Sequence, residues 1–235
     1  MATTTSPPMP LESGDRLTRD EFHKRYLARP DIYKAELVDG VVYITTRVAA
    51  AHGEATAAMG GWVGTYAAYR PNVRAMLHVT TLMGTNREVQ PDVLAFRDQR
   101  SSGRVHITPD DYLQGPPDLI IEVATSSASY DLYDKKRIYE QEGVLEYVVW
   151  QLFEGRIDWF RLRGSTYIRV EPDADGVIES TTFTGLRLNV PGMLAGDYAG
   201  VLAALGQSGA DTACQIDTTI PRRRMPRRTL SSSKS

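Results

Sequence analysis

With a single cysteine in 235 residues, the chain can close no disulfide within itself and offers no thiolate cluster for a metal. That residue, Cys214, lies near a polar tail, and nothing around it marks a nucleophile. No apolar run approaches the roughly 18 residues of a membrane span. Met1 to Pro10 lack the basic and apolar segments of a secretory signal, so the sequence places the protein in the cytoplasm. Histidines are also few. His23, His78 and His106 fall at no ligand spacing, and His52, with Glu54 and Thr56 beyond it, begins no His-Glu-x-x-His zinc helix. A Gly-rich phosphate loop is missing, and Ser126-Ser127 has no Gly-x-Ser-x-Gly elbow, so a serine hydrolase has little support.

Charge of one sign is lacking overall, with a net of −2, but it is unevenly spread. Residues 209 to 235 carry six basic groups against Asp211 and Asp217, leaving 21 basic and 27 acidic groups elsewhere. An acidic body is no ready-made nucleic-acid binder, since non-specific affinity rests on Lys and Arg meeting phosphates. Residues 1 to 14 and 208 to 235 are rich in Ser, Thr, Pro or Arg and read as disordered, leaving one domain over 15 to 207.

What is present is a mixed pattern of helices and strands. Thr18 caps a short helix through Leu27, and Asp39-Gly40 joins two apolar runs as a hairpin. Residues 50 to 69 repeat apolar side chains at helical spacing, which makes Trp62 and Tyr66 core residues. Strands are expected over 73 to 82, 88 to 96, 117 to 124 and 146 to 151, and a second hairpin turns at Gly164-Ser165. Helices are expected over 130 to 142, ending at Gly143, and over 194 to 205. Strands interleaved with helices imply an α/β or α+β domain around a central sheet.

Two acids stand out within these strands. Asp92, in Gln-Pro-Asp-Val-Leu-Ala-Phe, and Glu122, in Asp-Leu-Ile-Ile-Glu-Val-Ala, sit in apolar runs where an uncompensated charge costs several kcal/mol. If their strands are neighbours, ~4.8 Å apart, both can reach one cation, and oxygen-only ligation suits Mg²⁺. Asp118 lies about 13 Å along the strand from Glu122, too far to share that ion, and reads as a strand-start residue.

The order Glu-Leu-Val-Asp-Gly (36 to 40), His52, Gln-Pro-Asp (90 to 92), Pro-Asp-Leu-Ile-Ile-Glu-Val (117 to 123), Asp131 with Lys135 and Tyr139, and Gly-Val-Leu-Glu-Tyr (143 to 147) resembles the Uma-two family. The resemblance spans about residues 15 to 205. It implies a restriction-endonuclease-like fold of the PD-(D/E)XK superfamily and a DNA endonuclease that acts as a homodimer with Mg²⁺ or Mn²⁺. Asp92 and Glu122 would be the metal ligands, with Glu36 assisting and His52 positioning water or phosphate. The superfamily's lysine two residues after the Glu is here Ala124, and the family pattern moves it to Lys135, with Lys136 as the alternative. Asp131, Lys135 and Tyr139 share one helix face. On their residues alone, Asp131 and Lys135 read rather as an exposed ion pair and His52 as a surface or capping residue, while Glu36 reads equally as a solvent-facing strand residue. A rival function follows from Ala124 and the acidic body: a nuclease-fold protein without turnover, acting as a DNA-binding or regulatory module.

Overall fold

The computed structural model describes residues 10–45, 47–98, 103–125 and 130–206. Segments 1–9 and 207–235, most of the two expected tails, lie outside the described residues together with Cys214. The end of the first expected tail, residues 10–14, is instead packed. Leu11 is buried beside Phe22, Gly14 N–H donates to Val42 O at 2.8 Å, and Ile44 N–H donates to Ser13 Oγ at 2.9 Å.

Helix α1 (Arg19–Leu27) begins where Thr18 Oγ1 accepts from Glu21 N–H, as the capping pattern requires. Strands β1 (Lys34–Val38) and β2 (Val41–Thr45) pair antiparallel across Asp39 (φ 49°) and Gly40 (φ 79°), the left-handed pair of a two-residue hairpin. Helix α2 (Ala50–Ala68) follows. The next two expected strands are each broken in two: β3 (Val73–Leu77) and β4 (Thr81–Met83), then β5 (Arg87–Val89) and β6 (Val93–Arg97). The first break lies at the left-handed His78 (φ 51°) and the second at Pro91, which has no N–H for a ladder. At each break the chain changes sheet.

Short strands β7 (His106–Ile107) and β8 (Leu113–Gln114) precede β9 (Leu119–Ala124). The helix expected from 130 starts as a π turn over Asp131–Lys135 before becoming α3 (Lys136–Glu142), which ends at left-handed Gly143. Strand β10 (Glu146–Gln151) matches its expected bounds and pairs parallel with β9. Then come β11 (Arg156–Arg163), β12 (Thr166–Val170), β13 (Val177–Glu179) and β14 (Arg187–Asn189). The single last helix expected from the sequence is two, α4 (Val190–Leu194) and α5 (Tyr198–Gly206), separated at left-handed Gly196.

The strands form a sheet ordered β12-β11-β10-β9-β6-β3, a second ordered β2-β1-β5-β4-β8-β7, and the small β13-β14 hairpin. Alternation along β9 decides what each face sees. Leu119, Ile121 and Val123 pack with Met59, Trp62, Val63 and Tyr66 of α2, while Ile120 and Ala124 pack with Ile138 and Tyr139 of α3. Glu122 therefore enters the layer beneath the π turn and α3. A chain of ion pairs holds the β1-β2 hairpin against that layer: Arg87 bonds Asp39 at 2.7 Å and Glu142 at 2.5 Å, and Arg137 bonds Asp39 at 2.7 Å.

Candidate active site

Asp92 stands at the point where the chain leaves β5 in one sheet and enters β6 in the other. The register Val93↔Ile121 sets Asp92 beside Glu122. Val123 N–H donates to Asp92 Oδ2 at 2.9 Å, and Asp92 N–H approaches Glu122 Oε2 at 3.4 Å. Both acids are buried, at 3% and 2% exposure. The neighbouring-strand condition on which a shared cation depends is met.

Lys135 comes down from the π turn onto Glu122 Oε1 (2.9 Å) and Glu36 Oε2 (2.9 Å), with Asp131 at 3.8 Å. Tyr139 OH donates to the same Glu122 oxygen at 2.9 Å. A π turn widens the helix by one residue and so aims side chains that a regular helix would stagger. Here it ends on Lys135, one turn before Tyr139, and the two meet a single carboxylate. Lys135 and Asp131 are buried, so they are not the exposed ion pair that their spacing also allowed. Lys136 points elsewhere, its ammonium 4.2 Å from the Phe160 ring centre.

Glu36 is buried in β1 rather than facing solvent, and it accepts Lys135 and Gln90 N–H, the latter at 2.8 Å. His52, in the first turn of α2, places Nε2 3.2 Å from Asp92 Oδ2 while Nδ1 lies 3.3 Å from Thr56 Oγ1. Nε2 can thus donate to the carboxylate while the ring is held at its other nitrogen by the threonine hydroxyl. Asp92, Glu122, Lys135, Glu36 and His52, the residues singled out in the sequence, thus converge on one cleft of about 350 Å³.

Three further lining residues belong to no sequence motif. Lys34 lies two residues before Glu36, hence on the same strand face, and its ammonium is 3.5 Å from Asp92 Oδ1. His78 holds Nδ1 3.7 Å from the same oxygen. Tyr130 lies over Lys135 with its ring 4.3 Å from that of Tyr43, and its buried hydroxyl has no hydrogen-bond partner among the described residues. Of the three, only Lys34 has a signal in the sequence, its period-two spacing from Glu36 along β1.

Charge balance sets the protonation states. Burial alone would lower Lys135, but Glu122, Glu36 and Asp131 outweigh it and keep the ammonium protonated. Burial likewise raises Glu36 and Asp92, yet both are held below the ordinary carboxylate range, Glu36 by Lys135 and Lys34, Asp92 by the His52 hydrogen bond and Lys34. Glu122 goes the other way. Burial, with Asp92 adjacent, pushes it up to about 8 despite Lys135.

Donor chemistry is the test of fit for a divalent cation. Asp92 Oδ2 and Glu122 Oε1 are engaged by short contacts, whereas Asp92 Oδ1 and Glu122 Oε2 have neighbours only at 3.4 Å or beyond. Each carboxylate therefore keeps one oxygen with unspent acceptor capacity, and the raised proton affinity of Glu122 beside Asp92 is what crowded acids show where a further positive charge would be welcome. Such a pair suits an ion of the Mg²⁺ type that keeps most of its waters. Among the described residues, no three His, Cys, Asp or Glu side chains surround one cation position, because Lys135 stands between Glu36 and Glu122.

Ala124, at the superfamily's usual lysine position, is fully buried in the same apolar cluster as Ile138 and Tyr139. Asp118 is a structural residue: it accepts Arg97 N–H at 2.9 Å and pairs with the Arg97 and Arg104 guanidiniums.

The Uma2 family, described as "Putative restriction endonuclease", matches residues 19–191, a stretch that contains every site residue above. The chain belongs to the Uma2 family. Among solved structures it is similar to a protein of Anabaena variabilis ATCC 29413 described as "a putative nuclease belonging to DUF820". The two share 15% identity with a TM-score of 0.62, over 76% of this chain and 98% of that one. At that identity the likeness shows the fold, restriction-endonuclease-like, as the Uma2 resemblance implied. No curated protein matches the chain. Among the described residues, no helix is long and apolar enough to cross a membrane.

Proposed function

We propose that this Uma2 protein is a metal-dependent endonuclease that hydrolyses phosphodiester bonds of DNA. The observation that carries this reading is the burial of Asp92 and Glu122 side by side at the sheet switch, each with one uncommitted oxygen, under a lysine delivered by the following helix. Asp92 and Glu122 would hold Mg²⁺ or Mn²⁺, with Glu36 reaching the site through Lys135. When bound, the ion would polarise the phosphate and lower the pKa of a water.

The chain's own groups supply the rest. Lys135, fixed by Glu36, orients Glu122 and places a permanent positive charge beside the attacking water. His52, held between Thr56 and Asp92, steadies Asp92. Water adds to phosphorus, the bond to one bridging oxygen breaks, and the products end in a phosphate monoester and a hydroxyl. A homodimer would let two such clefts address both strands of a duplex.

Supercoiled plasmid incubated with the full chain should be nicked in Mg²⁺ or Mn²⁺ and left intact when EDTA removes the metal. Equal nicking with and without EDTA would contradict the metal, and intact plasmid in both, together with intact single-stranded DNA and RNA, would leave the reading without support. The last result is the one the non-catalytic alternative predicts.

A further inference from the structure

We infer that Lys34 and His78, not Lys135, make the direct contact with the substrate phosphate. The inference rests on the endonuclease reading and divides the labour of its basic groups. Lys135 is only 3% exposed, and its ammonium sits at 2.9 Å from both Glu36 and Glu122, the distance of a committed charge-assisted hydrogen bond. To reach a substrate it would have to abandon two buried acids at once. Lys34 is placed differently. It opens β1 at the mouth of the same cleft, with a side chain 12% exposed, and its nearest acids are 3.5 Å (Asp92 Oδ1) and 3.9 Å (Glu36 Oε1) away. Those separations are long for charge-assisted hydrogen bonds, so the acids hold this ammonium more loosely than they hold Lys135.

His78 supplies an independent observation. It is a non-glycine residue in the left-handed region, and such strain persists where surrounding contacts over-determine it, often beside a functional site. The contact here is its own N–H, which donates to Pro91 O at 3.1 Å and so ties the strained turn to the residue before Asp92. Its imidazole, 41% exposed, hangs 3.7 Å from Asp92 Oδ1. Lys34 and His78 therefore flank the one Asp92 oxygen that is not otherwise engaged, and they do so from β1 and from the β3-β4 turn. Two basic side chains beside the oxygen left for the cation are placed to meet a tetrahedral anion drawn to that cation.

The test pairs cleavage with binding. Plasmid nicking in Mn²⁺ is measured alongside fluorescence anisotropy of a labelled duplex of about two helical turns in Ca²⁺, where turnover is suppressed, for wild type, Lys34→Met, Lys34→Arg and His78→Ala. Lys34→Met should lower the cleavage rate on the order of 10²-fold, the loss typical of one transition-state donor. It should also weaken duplex binding several-fold, with its urea midpoint close to wild type. Lys34→Arg should recover most of both, and His78→Ala should show a smaller loss of the same kind. Wild-type cleavage and binding in Lys34→Met would overturn the assignment while leaving the endonuclease reading intact. A wild type that binds the duplex in a Lys34-dependent way but cleaves nothing would keep the phosphate contact and remove the endonuclease reading. A wild type that neither binds nor cleaves would remove both.

Discussion

Asp92→Asn and Glu122→Gln should each reduce Mn²⁺-dependent plasmid nicking by at least about 10²-fold, on the order of the loss seen when one preorganised electrostatic group is removed from an active site. Both changes keep the size of the side chain and one carbonyl oxygen, so they alter charge far more than packing. With an asparagine in place of Asp92, one terminal atom becomes a donor, and whichever way the amide turns, either the Val123 N–H or the open position loses its acceptor. With a glutamine in place of Glu122, the same conflict pits Lys135 and Tyr139, both donors, against the open oxygen. Either variant leaves a single carboxylate for a divalent ion. Cleavage by both at the wild-type rate would show that the buried pair is not the reaction centre, whatever the protein does. Loss in one variant alone would point to a single-acid site.

Lys135→Met should destabilise the fold by about 3–5 kcal/mol, the range for removing one partner from a buried ion pair. The methionine fills most of the lysine's volume, so the cost is not a cavity. It is the removal of the ammonium that holds Glu36 ionised in the interior, with Glu122 and Asp131 also within 3.8 Å of it. Urea unfolding at neutral pH measures it directly, and adding Glu36→Gln to Lys135→Met should recover part of the loss because one stranded charge disappears. A midpoint that barely moves in Lys135→Met would mean that the lysine is dispensable to the folded state and that the acids are neutral without it. The same experiment on Lys34→Met should show a much smaller shift, since Lys34 is nearer the surface and its acid contacts are longer.

Local signals in the sequence are strong enough to define several elements. The Asp39-Gly40 hairpin, the Thr18 cap and β10 follow from turn chemistry, side-chain capping and an unbroken apolar run, all of which act within a few residues. The switches between sheets at 78–80 and 90–92 are another matter. Alternation of apolar residues continues through them, and only the Pro91 backbone and the left-handed His78 betray that the chain leaves one sheet for another. Gly196, which splits the last helix, is a similar case of a single backbone conformation overriding a helical pattern.

The site divides in the same way. Asp92 and Glu122 are visible as charges inside apolar runs, and Lys135 as a residue sharing a helix face with Asp131 and Tyr139. Their resemblance to the family decides between a surface ion pair and a site, because sequence spacing alone does not say which helix face is covered. Lys34 belongs to no motif, although it precedes Glu36 by one strand period. His78 reads in the sequence as one of the scattered histidines, and its position beside Asp92 depends on the β3-β4 turn, which has no local signature.

Whether Asp92 and Glu122 together hold one divalent cation is tested most directly by crystals soaked in Mn²⁺ and measured at the manganese absorption edge. A single strong anomalous peak is expected in the cleft, within about 2.2 Å of one oxygen from each carboxylate, its remaining ligands being waters. A peak bound to only one of the two acids, or manganese sites confined to the protein surface, would contradict the shared ion.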